Sequence, residues 1–201
     1  MVKLYIADVS SLDIEKHLGE VSGHRREKVL RTQKPDSKRR LLGAELLLNI
    51  AVPNHPPYRV SERGKPYFEC GSPCFSLSHS GKYALCAMSD KEIGADIEAP
   101  RENSAALAER FFTEKEADAV KRAEDPDEEF CRLWVIKESY IKATGEGLAC
   151  PLNSFEARDE IGEYRTWHTT LDGYHIAVCT RGDTGEIEIN TVTLQKIPLS
   201  R

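Results

Sequence analysis

Asp96 and Glu98, in the run Ile93-Gly94-Ala95-Asp96-Ile97-Glu98, are acids at alternate positions whose types and spacing suit metal chemistry. On a strand, alternate side chains share a face, so both carboxylates point one way while Ala95 and Ile97 point into the core. Neighbouring carboxylates repel unless water or a cation lies between them. Hard divalent ions take oxygen ligands, and magnesium typically combines one or two carboxylates with the phosphates of a substrate. A second group, Glu138 and Lys142 in Trp134-Val135-Ile136-Lys137-Glu138-Ser139-Tyr140-Ile141-Lys142, has the spacing of one helical turn. Helical geometry sets Glu138 only about 40° around from Trp134, beside the apolar stripe of Phe130, Trp134 and Ile141. A third, Phe75-Ser76-Leu77-Ser78-His79-Ser80-Gly81, places Phe75, Leu77 and His79 on one strand face and Ser78 on the other. Taken singly, each has an ordinary alternative: a solvated strand end, a surface ion pair worth about 0.3–0.5 kcal/mol, a core histidine. No glycine-flanked elbow surrounds Ser78 or Ser80, and Gly81-Lys82 lacks the earlier glycine of a Walker loop.

Charge along the chain is uneven. The 201 residues hold 28 Lys and Arg against 33 Asp and Glu, a net charge of -5. Eight bases fall between Arg25 and Arg40, whereas from Asp90 to Glu129 acids outnumber bases by fourteen to six. An acidic molecule with no aromatic residue among its clustered bases is a poor nucleic-acid binder, and a small polyphosphate suits the basic stretch better. A composition of 40% hydrophobic and 30% charged residues is that of a globular protein with a real core. Asp8 interrupts the first apolar run before a signal-peptide core forms. Leu41 to Val52 carries Glu45 and Asn49 and is too short to span a bilayer. Six dispersed cysteines read as reduced thiols; Cys70 and Cys74 lie near His79, but no second ligand pair follows at zinc spacing. A cytoplasmic protein is expected.

These groups need elements to hold them. An opening strand precedes two helices, residues 20–32 and 37–52, the second ended by Pro53, Pro56 and Pro57. Strands are expected at 75–79, 83–88 and 93–98, the first two joined through Ser80-Gly81-Lys82. Thr113 and Glu116 have capping-box spacing and start a helix. Another covers about 127–144 and stops at Gly145, before strands at 174–180 and 186–194. The element order repeats, and Tyr83-Ala84-Leu85-Cys86-Ala87-Met88 resembles Tyr174-His175-Ile176-Ala177-Val178-Cys179 at an offset of 91 residues. A duplicated α+β protein would bind its ligand at the seam between halves.

In combination the three groups resemble the 4′-phosphopantetheinyl transferases, most closely their larger single-chain type. The resemblance rests on Ser78-His79-Ser80, then Gly94, Asp96 and Glu98, then Trp134, Lys137, Glu138, Lys142, Gly145, Gly147 and Leu148. Upstream, Gly64-Lys65-Pro66 and the basic 25–39 region followed by Leu41-Leu42-Gly43 extend it to about residues 20–155. It implies a pseudo-dimer of two similar α+β halves, residues 1–100 and 101–201, with the active site in the cleft between them. It further implies an enzyme that moves the phosphopantetheine arm of coenzyme A onto a serine of an acyl or peptidyl carrier protein of fatty-acid, polyketide or nonribosomal peptide synthesis, releasing 3′,5′-ADP. Asp96, Glu98 and Glu138 would hold Mg²⁺. Glu138 would also be the candidate base, and Lys142 would neutralise the departing phosphate oxygen. Lys28, Arg39, Lys65, Ser78 and His79 would bind the coenzyme's phosphates. Arg25 stands where some relatives have lysine, Glu116 aligns with an acidic position, and Lys137 points about 100° away from Glu138. A monomer without nucleic acid or membrane is expected. A noncatalytic coenzyme A or nucleotide sensor, and a nucleic-acid module using the basic helix, are the alternatives.

Overall fold

The computed structural model describes residues 1–194. The opening strand β1 (Val2–Asp8) leads through a short helix α1 (Ile14–His17) to α2 (Gly23–Arg31) and α3 (Pro35–Ala51). Ser22 caps α2 by accepting from the Arg25 N–H, and Pro35 sits in the first turn of α3, where its missing N–H costs nothing. A two-residue hairpin, β2 (Arg59–Val60) and β3 (Pro66–Tyr67), precedes the longer strands β4 (Cys74–Ser80), β5 (Tyr83–Ser89) and β6 (Ile93–Glu98). Helices α4 (Ala105–Phe111), α5 (Glu114–Arg122) and α6 (Pro126–Thr144) follow. The chain then forms β7 (Glu160–Ile161), β8 (Tyr164–Leu171), β9 (Tyr174–Arg181) and β10 (Ile187–Thr191).

Two four-stranded sheets result, ordered β10-β1-β5-β4 and β6-β9-β8-β7. In each, a strand that precedes helices pairs with the second strand of a later hairpin: β1 with β5 of the β4–β5 pair, β6 with β9 of the β8–β9 pair. The similar strands at the 91-residue offset, β5 and β9, are thus both interior to their sheets, and the rings of Tyr83 and Tyr174 meet edge to face at 5.0 Å. Val2, Leu4, Ile6, Leu85 and Ala87 of the first sheet share one core with Ile93, Ala95, Ile97, Ile176 and Val178 of the second. On the far side of the first sheet, α3 packs through Leu42, Leu46 and their neighbours against Phe75 and Cys86. On the far side of the second, Val135 and Ile136 of α6 meet Ala177, while α4 and α5 gather around Phe112 and Phe130.

The expected elements are present with small shifts at their ends, and the Thr113–Glu116 capping box forms in both directions. Absent from the expectation were α1, β8, α4 and the two-residue strands. The last seven residues of the expected 101–201 half lie outside the described residues.

Helix α6 starts at the Asp125 cap, whose side chain accepts from the N–H groups of Asp127 and Glu128, and ends at Gly145 in the left-handed conformation (φ 73°). Its close seat on β6 depends on Gly94. A Cβ there would stand 2.0 Å from the Ser139 carbonyl oxygen and 2.2 Å from the Ala143 nitrogen, both backbone atoms of α6. Gly94→Ala is therefore expected to destabilise the protein by about 1–3 kcal/mol through overpacking, and to lower activity by lifting Glu138 and Lys142 away from Asp96. Chemical denaturation with a parallel activity assay checks both effects.

Candidate functional site

Gly94, Asp96 and Glu98 face α6, as strand alternation requires, while Ile93, Ala95 and Ile97 are fully buried between the sheets. Strands β4 and β6 belong to different sheets and meet through side chains. The Ser76 hydroxyl accepts from the Ala95 N–H at 3.0 Å, and the Ser78 hydroxyl donates to Asp96 Oδ1 at 2.6 Å. From α6, Lys142 Nζ donates to the same carboxylate oxygen at 2.6 Å, to the Ser78 hydroxyl at 3.0 Å and to the Ala95 carbonyl at 3.3 Å. Three of the residues singled out by sequence, from three separate elements, thus form one hydrogen-bonded cluster.

Glu138 lies one turn before Lys142 and is half-buried; among the described residues it has no hydrogen-bond or ion-pair partner. Burial pushes its carboxyl above the ordinary range, the charges of Asp96 and Glu98 add to the rise, and Lys142 opposes it. Glu98 is itself ion-paired with Arg101, whose Nε donates to it at 2.9 Å. No group of three or more His, Cys, Asp or Glu among the described residues stands in metal-holding geometry, because Asp96 turns to Lys142 and Glu98 to Arg101. The donor set nevertheless suits a hard divalent cation. Its three carboxylates supply only oxygen ligands, and Lys142 and Arg101 balance Asp96 and Glu98 but leave Glu138 without a partner charge.

Two adjoining hollows open on this cluster, both lined by Gly64, Pro66, Leu77 and Lys142. One, about 460 Å³, is basic, with Arg25, Lys28, Ser78, His79 and Asp96 on its walls. The other, about 510 Å³, is mainly apolar, with Phe111, Trp134, Ile141 and Leu152 around Glu138 and Lys65. Burial lowers the Lys28 ammonium from its usual value and the nearby Arg25 lowers it further. Lys65 is tied to the end of α6 through the Ala143 carbonyl, and burial lowers it too.

Arg39 is not brought to either hollow. Its Nη1 bonds Asp36 at 2.8 Å and its Nε the Leu12 carbonyl at 3.3 Å, because its position on α3 turns it toward the loop after β1. Lys137 and Glu116 are likewise remote from the cluster. Lys137 is fully buried and pairs with Glu116 at 2.8 Å, donates to the carbonyls of Leu152 and Phe155, and lies over the rings of Phe112 and Phe155. Sequence reasoning overlooked His24 and Tyr58 on the basic wall and Arg63 on the apolar one. Their only signal was proximity to motifs that proved to be neighbours in space.

The His79 imidazole is pushed down to about 4, by burial first and then by the cations Lys142, Arg40 and Arg25; its own backbone partly opposes this. His168, stacked on His175, is also pushed down to about 4, again mainly by burial. Both rings are therefore neutral in the folded protein at pH 7. The unfolded chain takes up these protons below about 6.5 while the folded one does not until about 4, so stability should fall as pH drops through that window. Melting temperatures are expected to decline between pH 6.5 and 4. The accompanying loss of unfolding free energy should be smaller by about 1–3 kcal/mol in the His79→Gln/His168→Gln double variant.

The family model described as the 4′-phosphopantetheinyl transferase superfamily matches residues 92–184, the stretch that carries Asp96, Glu98, Glu138 and Lys142. A 4′-phosphopantetheinyl transferase of Bacillus subtilis is 36% identical over 161 residues, covering 75% of this chain and 71% of the relative. The 4′-phosphopantetheinyl transferase ffp of the same species is 32% identical over 195 residues, 85% of this chain and 87% of the relative. The enzyme gsp of Aneurinibacillus migulanus reaches 41% identity over 129 residues, 60% of this chain and 54% of its own. Similarity of this extent makes the chain a member of the 4′-phosphopantetheinyl transferase superfamily.

Proposed function

We propose that the two hollows receive coenzyme A and the arm it donates, and that the Asp96–Glu98–Glu138–Lys142 cluster between them performs the transfer. The protein is a 4′-phosphopantetheinyl transferase, converting an apo carrier protein to its holo form. The serine oxygen of the carrier forms a bond to the β-phosphorus of the coenzyme, the bond from that phosphorus to the bridging oxygen breaks, and 3′,5′-ADP leaves. Phosphoryl transfer asks little covalent chemistry of a protein, so positioning and charge neutralisation dominate. The observation that carries the reading is the partnerless, half-buried Glu138, whose carboxyl Asp96 pushes up, in a hollow that adjoins the basic one.

Each residue has a role in that reading. Lys28, Ser78 and His79 bind phosphate oxygens on the basic wall, joined by Arg25, while Lys65 lies where the two hollows adjoin. Arg39 takes only a long-range electrostatic part. Asp96, Glu98 and Glu138 are the residues that would hold Mg²⁺, which supplies charge neutralisation and polarisation of the diphosphate. Lys142 moves from Asp96 to the oxygen of the departing phosphate. Glu138 is also the candidate base for the serine proton, directly or through a water, although a carboxylate that holds a cation is a weaker base than a free one. The apolar hollow, with Trp134 and Phe111, suits the uncharged pantetheine arm.

Two similar halves, residues 1–100 and 101–201, form the pseudo-dimer in this reading, with the cleft at their seam. The shared order β1-β5-β4 and β6-β9-β8 supports it, with β6 from before that boundary in the second sheet and β10 from after it in the first. No helix among the described residues is long and apolar enough to cross a membrane. A monomer acting in the cytoplasm on acyl or peptidyl carrier domains, without nucleic acid or membrane, completes the proposal. The test is mass spectrometry of an apo carrier mixed with coenzyme A, Mg²⁺ and the protein. Gain of one phosphopantetheine arm per carrier is expected, and no gain across a panel of apo carriers would refute it.

A further inference from the structure

Glu45 is a carboxylate in the middle of α3, 1% exposed, in a buried run otherwise made of leucines, one glycine and one alanine. Burial pushes its carboxyl up, but bonds from Tyr58, Ser22 and Arg25 more than reverse the rise, so it stays ionised. It accepts from the Ser22 N–H at 2.5 Å, from Arg25 Nε at 2.9 Å and from the Tyr58 hydroxyl at 2.6 Å. One buried acid therefore joins the cap of α2, a guanidinium on that helix's first turn and a tyrosine from beyond α3. Arg25 and Tyr58 both line the basic hollow, as does Lys28 one turn further along α2.

The geometry around Arg25 is directional. Glu45 engages the guanidinium through Nε, and among the described residues the Nη groups make no hydrogen bond. The Arg25 side chain is only 12% exposed, so it has little water to turn to. A guanidinium held by one edge presents its remaining donors as a planar fork, the shape that grips a phosphate by two parallel bonds.

We propose that Glu45 is a positioning residue for coenzyme A: it fixes Arg25 and Tyr58 on the wall of the basic hollow so that the Arg25 fork meets the coenzyme's phosphate monoester. The inference rests on the reading that this hollow receives the coenzyme's phosphates. A buried ion pair placed only for stability would weaken folding when altered, without discriminating between ligands.

The experiment measures KM and kcat for coenzyme A and for dephospho-coenzyme A, which lacks only the monoester, in the intact protein with an apo carrier. Glu45→Gln is expected to raise KM for coenzyme A about tenfold, with kcat and KM for dephospho-coenzyme A both within twofold of wild type. Arg25→Ala should produce the same selective loss, and the double variant should lose no more than Arg25→Ala alone. Equal losses for both ligands, a change in kcat alone, or additive losses in the double variant would each overturn the proposal. Should Glu45→Gln fail to fold, Tyr58→Phe removes one bond and leaves the buried charge. It should raise KM for coenzyme A about threefold without affecting the dephospho form, and an unchanged KM would overturn the proposal. If Arg25→Ala and Lys28→Ala both leave KM for coenzyme A unchanged, the placement of the phosphates itself is wrong, an outcome distinct from failure at Glu45 alone.

Discussion

Glu138→Gln should lower the rate of phosphopantetheinyl transfer by about 10³-fold while leaving the protein at least as stable as wild type at pH 7 to 8. The two halves of that result have one cause. Burial and the charges of Asp96 and Glu98 raise the Glu138 carboxyl, so its ionised form is disfavoured in the folded state. The unfolded chain releases this proton near 4.5, whereas the folded chain retains it to higher pH. Stability is therefore lost as pH rises through the folded value, and an amide in that place removes the loss. A residue kept at a cost to stability is what a site built for a cation and a proton transfer requires. Steady-state transfer assays with thermal melts at several pH values separate the two effects. A variant both active and unchanged in its pH profile would show that Glu138 is neither ligand nor base.

Lys137→Met should cost about 3–5 kcal/mol of stability, the largest expected destabilisation of any single change discussed. The ammonium is fully buried, burial pulls it below its usual range, and the Glu116 carboxylate opposite partly restores it. Glu116 is 6% exposed and also accepts from the Ala157 N–H at 2.7 Å, so removing the lysine leaves an unbalanced buried charge together with two unpaired carbonyls. Glu116→Gln combined with Lys137→Met should recover part of the loss, since the stranded charge is gone. Urea denaturation of the single and double variants measures this. A single variant within 1 kcal/mol of wild type would show the pair to be dispensable. Lys137 and Glu138 are sequence neighbours with opposite duties: one ties α6 to residues 152–155, and the other faces the cleft.

What the sequence made legible follows from how local each signal is. Alternation at 93–98 announced that Asp96 and Glu98 share a face, and the expected helix over 127–144 with its stop at Gly145 matched α6 within a residue. Strand β8 escaped because Tyr164-Arg165-Thr166-Trp167-His168-Thr169-Thr170-Leu171 is partly exposed along nearly all its length and shows no clean apolar alternation. A run of bases does not say which side of a helix each one takes: Arg40 turns to the Gly81 carbonyl and Arg39 to Leu12. Glu45 was read only as a charge interrupting an apolar run. Its partners Ser22, Arg25 and Tyr58 lie 23, 20 and 13 positions away, beyond the reach of any helical or strand periodicity.

The most direct test of the central assignment is a titration of the protein with Mn²⁺, followed by electron paramagnetic resonance in the presence of coenzyme A and without carrier. One bound ion per chain is expected, with affinity at least tenfold weaker in Glu138→Ala and in Asp96→Ala. Equal Mn²⁺ binding by wild type and both variants, or no binding by any of them, would contradict the account.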